Sequence, residues 1–196
     1  MKKIFAIAVL VLISLFSACT TEERIIFFPV PTGFEAIFNI NSSNSTQFDE
    51  MVVLDGDSLA ARFAEQLADG DFSLDDIEDL DIESITYTLI ATTDPASVVN
   101  AALEISYGGS ARVPVYSIQN TVTGDVLDIE QQPTLSAPAI NLLTQALKDM
   151  LIFNSVGDIV LYTRGDIDRS NVALTLRVNL VATPLVSSTL EIVQPF

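Results

Sequence analysis

Histidine and tryptophan are absent from this 196-residue chain, which has a single cysteine and few basic residues. Without histidine, the chain cannot use an imidazole base or bind zinc, copper or haem through histidine. One cysteine excludes an intramolecular disulfide and a thiolate metal cluster. Nine Lys and Arg against 26 Asp and Glu give a formal charge of −17. We therefore expect no nucleic-acid partner, because phosphate contacts need basic patches.

The N-terminus has the layout of a secretion signal. A short basic start precedes the apolar run Ile4–Phe16, which as a helix would reach only about 20 Å, short of a ~30 Å hydrocarbon core. The run ends in Leu15-Phe16-Ser17-Ala18-Cys19, with small residues directly before the only cysteine. This segment resembles the lipobox of bacterial lipoproteins, although Phe16 stands where that motif usually has leucine. The resemblance implies a signal peptide over 1–18 and lipidation of Cys19 with acyl chains such as palmitate; the alternative is a plain signal peptide with an incidental cysteine.

Cleavage before the cysteine would leave a strongly acidic body held by lipid. It removes Lys2 and Lys3, so the formal charge changes from −17 to −19. Anionic headgroups repel such a body, and we expect the membrane to be engaged through the N-terminal lipid. The expected location is the cell envelope. Thr20 follows the cysteine, whereas the inner-membrane retention signal of enterobacterial lipoproteins has Asp there, which favours the outer membrane in a bacterium with two membranes.

Alternating apolar and polar residues predict that the rest of the chain is made mainly of β-strands. The cleanest pattern runs over Val172–Leu180, and Phe34–Asn41 and Val99–Tyr107 alternate in the same way. Gly108-Gly109 ends the last of these strands, and Val113–Ile118 is its expected hairpin partner. Shorter strands are expected at Met51–Leu54, Ser84–Leu89, Ile159–Thr163 and Thr189–Val193. The pattern predicts a mainly β fold, an antiparallel β-sandwich of immunoglobulin-like or related type with one or two short helices.

Two helices are expected between the strands. Ser136 can cap a helix with Pro138 in its first turn, and its apolar stripe consists of Ile140, Leu143, Leu147, Met150 and Leu151. A shorter helix is expected to begin at Asp57 or Ser58, with one apolar face formed by Leu59, Phe63 and Leu67.

The predicted organisation has three parts. Residues 1–18 are the signal peptide, and 19–32 hold the lipidated cysteine with a tether and lead-in segment. Thr20–Arg24 is the polar tether, and Ile25–Pro31 is apolar with two prolines, which suits an edge strand or a packed lead-in. Residues 33–196 form a single sandwich domain.

The second half carries a further likeness. Leu142–Asp166 joins an apolar helix to the segment Gly157–Gly165, and this order resembles the late part of LEA-14-type β-sandwich domains. Those domains usually have an Asn-Pro-rich turn after an early strand, which this chain lacks. The resemblance implies a sandwich and no catalytic residues.

Acidic residues are concentrated between Asp49 and Glu83, where Arg62 is the one cation. Carboxylate oxygens at short spacing suit Ca²⁺, and the candidate ligands are Asp69, Asp71, Asp75 and Asp76. An EF-hand is excluded, because a loop counted from Asp69 has Leu at its sixth and twelfth positions. The alternative is a solvated acidic loop containing a helical turn capped by Ser73, with Leu74, Ile77 and Leu80 turned inward.

Arg164-Gly165-Asp166 spells an integrin-recognition tripeptide. Three-residue matches are common by chance, and a strand end would account for this glycine. We expect Arg164 and Asp166 to form a mixed-charge hairpin tip with Asp168 and Arg169.

The sequence predicts no enzyme and no required cofactor. It contains no phosphate-binding loop and no nucleophile elbow, and Lys148 is expected to be solvated. We therefore expect a membrane-anchored envelope lipoprotein that acts as a non-catalytic binding or structural module, with a protein or a glycan as partner. Three alternatives stay open: a carrier of lipid or another hydrophobic ligand, a calcium-stabilised adhesion module, and a carboxylate-dependent hydrolase.

Overall fold

Strands account for most of the chain in the computed structural model. It describes residues 21–193 except 44, 154 and 156, and the side chains of 25–189 within that range. In chain order the strands are β1 (Thr21–Pro29), β2 (Thr32–Asn41), β3 (Gln47–Leu54), β4 (Ile77–Thr92), β5 (Val98–Tyr107), β6 (Val113–Val122), β7 (Ile159–Ile167) and β8 (Ala173–Val193). The helices are α1 (Gly56–Ala68) and α2 (Ala137–Leu151), and single 3₁₀ turns lie at Leu74–Asp76 and Thr123–Asp125.

The strands form two antiparallel sheets. In the first, β8 pairs with β1, β2 and β4. In the second, the strand order is β3-β7-β5-β6. The inward side chains of both sheets belong to one buried apolar cluster. This arrangement is an antiparallel β-sandwich, and it confirms the fold predicted from the alternating strands.

Alternation predicted the buried faces correctly where one side of a strand faces the core. In β2, Phe34, Ala36, Phe38 and Ile40 are buried and their neighbours are exposed. Their partners on β8 are buried at every second position as well, so that Phe38 lies opposite Leu176. In β4, five consecutive residues from Ile85 to Leu89 are buried, and the segment around Leu127 and Gln131 is hydrogen-bonded to the edge of this strand. Thr86 and Thr88 are therefore not on a solvent face.

The described strands are longer than expected at three places. β3 begins at Gln47 instead of Met51, and β4 begins at Ile77 instead of Ser84. The strand expected over Thr189–Val193 continues β8 without a turn. Pro184 lies within β8, where its carbonyl accepts a hydrogen bond from the Val30 amide at 3.0 Å.

Both helices begin at side-chain caps. The Ser136 hydroxyl accepts a hydrogen bond from the Ala139 amide, which confirms the predicted start of α2. The start of α1 was expected at Asp57 or Ser58; the helix begins at Gly56 because the Asp55 carboxylate accepts from the Ser58 amide at 2.9 Å. The buried faces are Leu59, Phe63 and Leu67 in α1, and Ala139, Leu143, Ala146, Leu147, Met150 and Leu151 in α2.

The chain divides into two compact units. One comprises Pro29–Val186, which holds the buried core, and the other groups Met1–Phe28 with Ser187–Phe196. In the second unit the described backbone belongs to β1 and the end of β8. Thr21–Arg24, expected as a polar tether, is part of β1, because the strand pairs with β8.

Candidate functional site

A row of polar side chains covers the side of the β3-β7-β5-β6 sheet that faces away from the core. Successive residues of a strand point to opposite faces, and Leu103 and Ile105 of β5 enter the core. Asn100 and Glu104 of the same strand therefore lie on the other face, beside Tyr162 and Arg164 of β7. We call this surface the polar sheet face.

Glu104 is the buried centre of this face. It is only 5% exposed, and Oε2 of its carboxylate is buried with no hydrogen-bond partner in the described structure. Oε1 lies 2.6 Å from Nη2 of Arg164, and Oε2 lies 3.8 Å from Nη1 of Arg112. Burial of a carboxylate requires a compensating charge, and the two arginines supply it.

Arg112 connects this carboxylate to the edge of the sheet. Its guanidinium lies 3.7 Å from the centre of the Tyr162 ring and donates to both oxygens of Asp49, at 3.0 and 3.1 Å. Donation of these hydrogen bonds to Asp49 raises the pKa of Arg112 further above its usual range. Asp49 of β3, Arg112 of the β5–β6 turn, Glu104 of β5 and Arg164 of β7 form a chain of alternating charge across three strands.

A groove of about 460 Å³ lies on the polar sheet face beside this chain of charges. Its polar side chains are Gln47, Asp49, Asn100, Ser117, Gln119, Arg164 and Asp166. Asn100 holds groups on two sides of the groove. Its amide nitrogen donates a hydrogen bond to Asp166 at 3.1 Å, and its amide oxygen accepts one from the backbone N–H of Asn120 at 2.8 Å. The groove thus offers donors and acceptors held on a hydrogen-bonded sheet.

The tripeptide Arg164-Gly165-Asp166 lies inside β7 and not at a hairpin tip, so that prediction is wrong. The three residues pair with Asn100, Ala101 and Ala102 of β5. A Cβ added at Gly165 would lie 1.9 Å from the Asn100 carbonyl oxygen. The glycine is therefore required by the close approach of two strands, and its neighbours are presented on a sheet.

Asp168 and Arg169 lie in the turn after β7, where a mixed-charge group does occur. Arg169 donates to Asp94 at 3.0 Å and to Asp168 at 2.9 Å. Hydrogen bonds from Arg169 and from the Val98 amide lower the pKa of Asp168.

The four proposed calcium ligands lie between α1 and β4. Asp69 is the C-cap residue that follows α1, and Asp71 has a positive φ of 62°. Asp76 accepts hydrogen bonds from the Ser73 amide at 2.7 Å and from its hydroxyl at 2.8 Å, which lowers the pKa of Asp76. In the described part of the chain, no three acidic or cysteine residues are grouped closely enough to hold a metal ion.

The alternative interpretation of this segment, a capped helical turn, is confirmed. Ser73 and Asp76 form a capping box around a single 3₁₀ turn. Ile77 and Leu80 are buried, and Leu74 packs partly buried against the core. The rest of the acidic stretch, from Glu78 to Glu83, is strand and not loop.

Lys148 was expected to be solvated and is instead paired. Its ammonium lies 2.5 Å from Asp79 Oδ1, which joins α2 to β4. Hydrogen bonds from Lys148 and from the Leu80 amide lower the pKa of Asp79.

A second cavity lies beside β6, next to Tyr87 of β4 and the residues just before α2. It has a volume of about 530 Å³, and its lining includes Tyr87, Pro114, Tyr116 and Pro133. The rings of Tyr87 and Tyr116 are stacked, 5.1 Å apart and inclined by 16°. The Tyr116 hydroxyl is buried with no hydrogen-bond partner in the described structure, and burial raises the pKa of Tyr116 well above its usual range.

The lipidation residue Cys19 lies outside the described residues, as does the segment Leu15–Ala18. Across the described range 21–193, no helix has the length and apolar character needed to cross a membrane.

Sequence reasoning missed Glu104 and Arg112. Glu104 sits at a polar position of an alternating strand, which predicts exposure. Its burial depends on Arg164, 60 residues further along the chain, and on the cover given by Arg112 and Tyr162. The sequence does contain one indication of this burial, because Glu104 is the one charged residue within the mostly apolar segment Val98–Tyr107.

Fold and surface together define an antiparallel β-sandwich protein with a charged groove on one sheet face. No protein-family model and no curated protein matches the sequence.

Three of the solved structures that the chain matches come from viruses. The acidic stable capsid of Helicobacter pylori bacteriophage KHP30 has 8% identity and a TM-score of 0.36, and the match covers 88% of this chain and 100% of that one. Desmodium yellow mottle tymovirus has 12% identity and a TM-score of 0.35, covering 90% and 93%. The decameric BFDV capsid protein has 12% identity and a TM-score of 0.36, covering 82% and 99%. Structural similarity with TM-scores this low does not indicate a shared function.

Proposed function

We propose that this protein is a lipid-anchored cell-envelope lipoprotein whose sandwich acts as a non-catalytic binding or structural module. The observation that carries the proposal is the signal-like segment ending in Leu15–Cys19. A secreted chain with one unpaired thiol would be unusual, and acylation of Cys19 accounts for that thiol. A single acyl chain binds membranes only marginally, so we propose multiple acylation, as in bacterial lipoproteins.

The acidic body supports attachment by lipid alone. With a formal charge of −19 after cleavage, it is repelled by anionic headgroups. We propose the outer membrane as its location if the source has two membranes, because Thr20 follows the cysteine.

The groove on the polar sheet face is the proposed binding surface. Its walls belong to a four-stranded sheet, and Asn100 and Glu104 hold their charged neighbours in place. Two of its carboxylates, Asp49 and Asp166, are already engaged by Arg112 and Asn100. Donors and acceptors fixed in this way favour recognition of a polar partner, a protein or a glycan, over turnover of a substrate.

One observation favours a second function, carriage of a hydrophobic ligand. The lining of the cavity beside β6 includes the stacked Tyr87 and Tyr116 and two prolines. Pockets for small apolar ligands are lined mainly by such side chains with a few polar groups. Here the polar lining residues are Ser117, Thr134 and Ser136, together with the buried Tyr116 hydroxyl.

The anchor is tested by intact-mass analysis and detergent partition of the wild type and Cys19→Ser, both produced in a bacterium with lipoprotein processing. The wild type should carry the mass of its acyl chains, lack residues 1–18 and enter the detergent phase. Cys19→Ser should gain no lipid mass. A wild type cleaved elsewhere and free of lipid contradicts the proposal.

The binding surface is tested by placing a photo-crosslinking residue at Gln119 in the groove or at Gln145 on the exposed side of α2. Both positions carry an exposed glutamine, so the second is a matched control. Irradiated cells should give a discrete crosslinked product at Gln119 and none at Gln145. Equal crosslinking at the two positions contradicts a role for the groove.

A further inference from the structure

Four consecutive apolar residues of β1 are exposed. Ile25 is 64% and Phe27 52% exposed, and Ile26 and Phe28 are 37% and 41% exposed. Alternate residues of a strand point to opposite faces, so apolar side chains face solvent on both sides of this strand. We call Ile25–Phe28 the apolar segment.

An exposed apolar edge strand favours aggregation unless something covers it. β1 is hydrogen-bonded to β8, and among the described strands it has no other partner. The compact unit that contains the apolar segment comprises only Met1–Phe28 and Ser187–Phe196. In the described part of this unit, Ile25, Ile26 and Phe27 therefore present apolar surface to water.

The short distance along the chain to Cys19 indicates what covers the apolar segment. Six residue steps separate Cys19 from Ile25, and an extended chain advances at most about 3.6 Å per residue. With acyl chains on Cys19, Ile25 is confined to within about 22 Å of the lipid headgroups. A membrane surface is thus always in reach, whereas a soluble partner or a second copy must be met by diffusion.

The charges around the apolar segment set the kind of lipid contact. Glu22 and Glu23 precede it and Arg24 is the one cation nearby, so there is no basic cluster to attract anionic lipid. Contact must come from burial of isoleucine and phenylalanine side chains at the boundary of headgroups and acyl chains, as in interfacial anchors.

We propose that the apolar segment Ile25–Phe28 docks into the surface of the membrane that holds the lipid at Cys19, as a second, non-covalent contact. This inference rests on the proposed lipid anchor. Docking would hold β1 at a fixed distance from the membrane surface, and it would not require anionic lipids.

The absence of tryptophan allows a direct test. Phe27→Trp places one tryptophan in the apolar segment, and Phe153→Trp places one at a 68% exposed phenylalanine of the other compact unit, as a matched control. Each full-length variant is purified in its processed form, checked by intact mass and far-UV circular dichroism, and reconstituted into phosphatidylcholine vesicles with or without brominated acyl chains.

Bromolipids should quench Phe27→Trp at least about threefold more than Phe153→Trp, with a blue-shifted emission, because the segment lies near the upper acyl chains. Acylated protein with equal quenching at both positions overturns the inference and leaves the anchor standing. A blue shift without quenching means that protein covers the segment, which also overturns it. Stronger quenching only after addition of phosphatidylglycerol would contradict apolar docking. If intact mass finds no acyl chains, the anchor fails and the inference fails with it.

Discussion

The ion pair between Glu104 and Arg164 should have opposite consequences for its two partners. Glu104 is 5% exposed, whereas the Arg164 side chain is 57% exposed. Arg164→Met leaves a carboxylate that water cannot reach freely, while Glu104→Leu leaves a guanidinium that solvent can hydrate. The two single substitutions should therefore destabilise the protein unequally.

The magnitude follows from what each substitution leaves behind. Loss of one partner of a fully buried pair costs about 3–5 kcal/mol, but Arg112 stays 3.8 Å from the Glu104 carboxylate and offsets part of that cost. We expect Arg164→Met to lower the unfolding free energy by about 2 kcal/mol, and Glu104→Leu by less than about 1 kcal/mol. In the double variant the orphaned carboxylate is gone, so the loss should fall below the sum, with a coupling energy of about 1–2 kcal/mol.

Urea unfolding of residues 20–196 at neutral pH, followed by far-UV circular dichroism and tyrosine fluorescence, measures these differences. With a slope of about 2 kcal/mol per molar urea, Arg164→Met should move the midpoint by roughly 1 M. Arg177→Met is the control, because Arg177 pairs with an exposed Glu35 at 4.0 Å and such pairs contribute about 0–1 kcal/mol. Equal losses for Glu104→Leu and Arg164→Met that add in the double variant would refute the buried-carboxylate reasoning.

Three further predictions test the packing. Gly165→Ala should lower the unfolding free energy by more than about 3 kcal/mol, because the new Cβ would lie 1.9 Å from a backbone oxygen of β5. At Gly33 an added Cβ would have no atom within 4 Å, so Gly33→Ala should change the unfolding free energy by less than about 0.5 kcal/mol. Equal urea midpoints for the two variants would contradict this packing. Ser136→Ala removes the cap of α2 and should cost about 1 kcal/mol, or roughly 2–4 °C in melting temperature, and an unchanged scan would exclude the cap. Because bonds from Ser73 lower the pKa of Asp76 in the folded state, their stabilisation is complete above the unfolded pKa and is lost as the pH falls below about 4. Asp76→Asn should therefore flatten the acid limb of stability against pH, and an identical acid limb would show that this carboxylate is not bonded.

The alternation of apolar and polar residues correctly predicted the strands that face the core on one side and solvent on the other. In β2 and β8 the core lies on one face and solvent on the other, so the alternation in the sequence matches the alternation in burial. The cap at Ser136 was also predictable, because a cap depends on residues within one turn of the helix. These features need no information from distant parts of the chain.

Features that depend on distant partners were not predictable in the same way. The first half of β4 is rich in acids that disfavour strands, and it becomes a strand because β8 pairs with it, with Asp81 opposite Thr183. The requirement for Gly165 comes from the Asn100 backbone on another strand. The buried state of Glu104, at the centre of the candidate site, depends on Arg164 in the same way.

The scarce positive charges explain what kind of partner the polar sheet face can take. Five of the six cations whose side chains are described lie in an ion pair with an acid of another element or turn; these are Arg112, Lys148, Arg164, Arg169 and Arg177, and the sixth, Arg62, lies on α1 away from the polar sheet face. In a chain with so large an excess of acid, these pairs connect strands and helices that would otherwise repel each other. Little positive charge is then left to attract an anionic ligand. The groove must act through the amides of Asn100 and Gln119 and the remaining donors of Arg164, which favours a neutral, hydrogen-bonding partner over a polyanion.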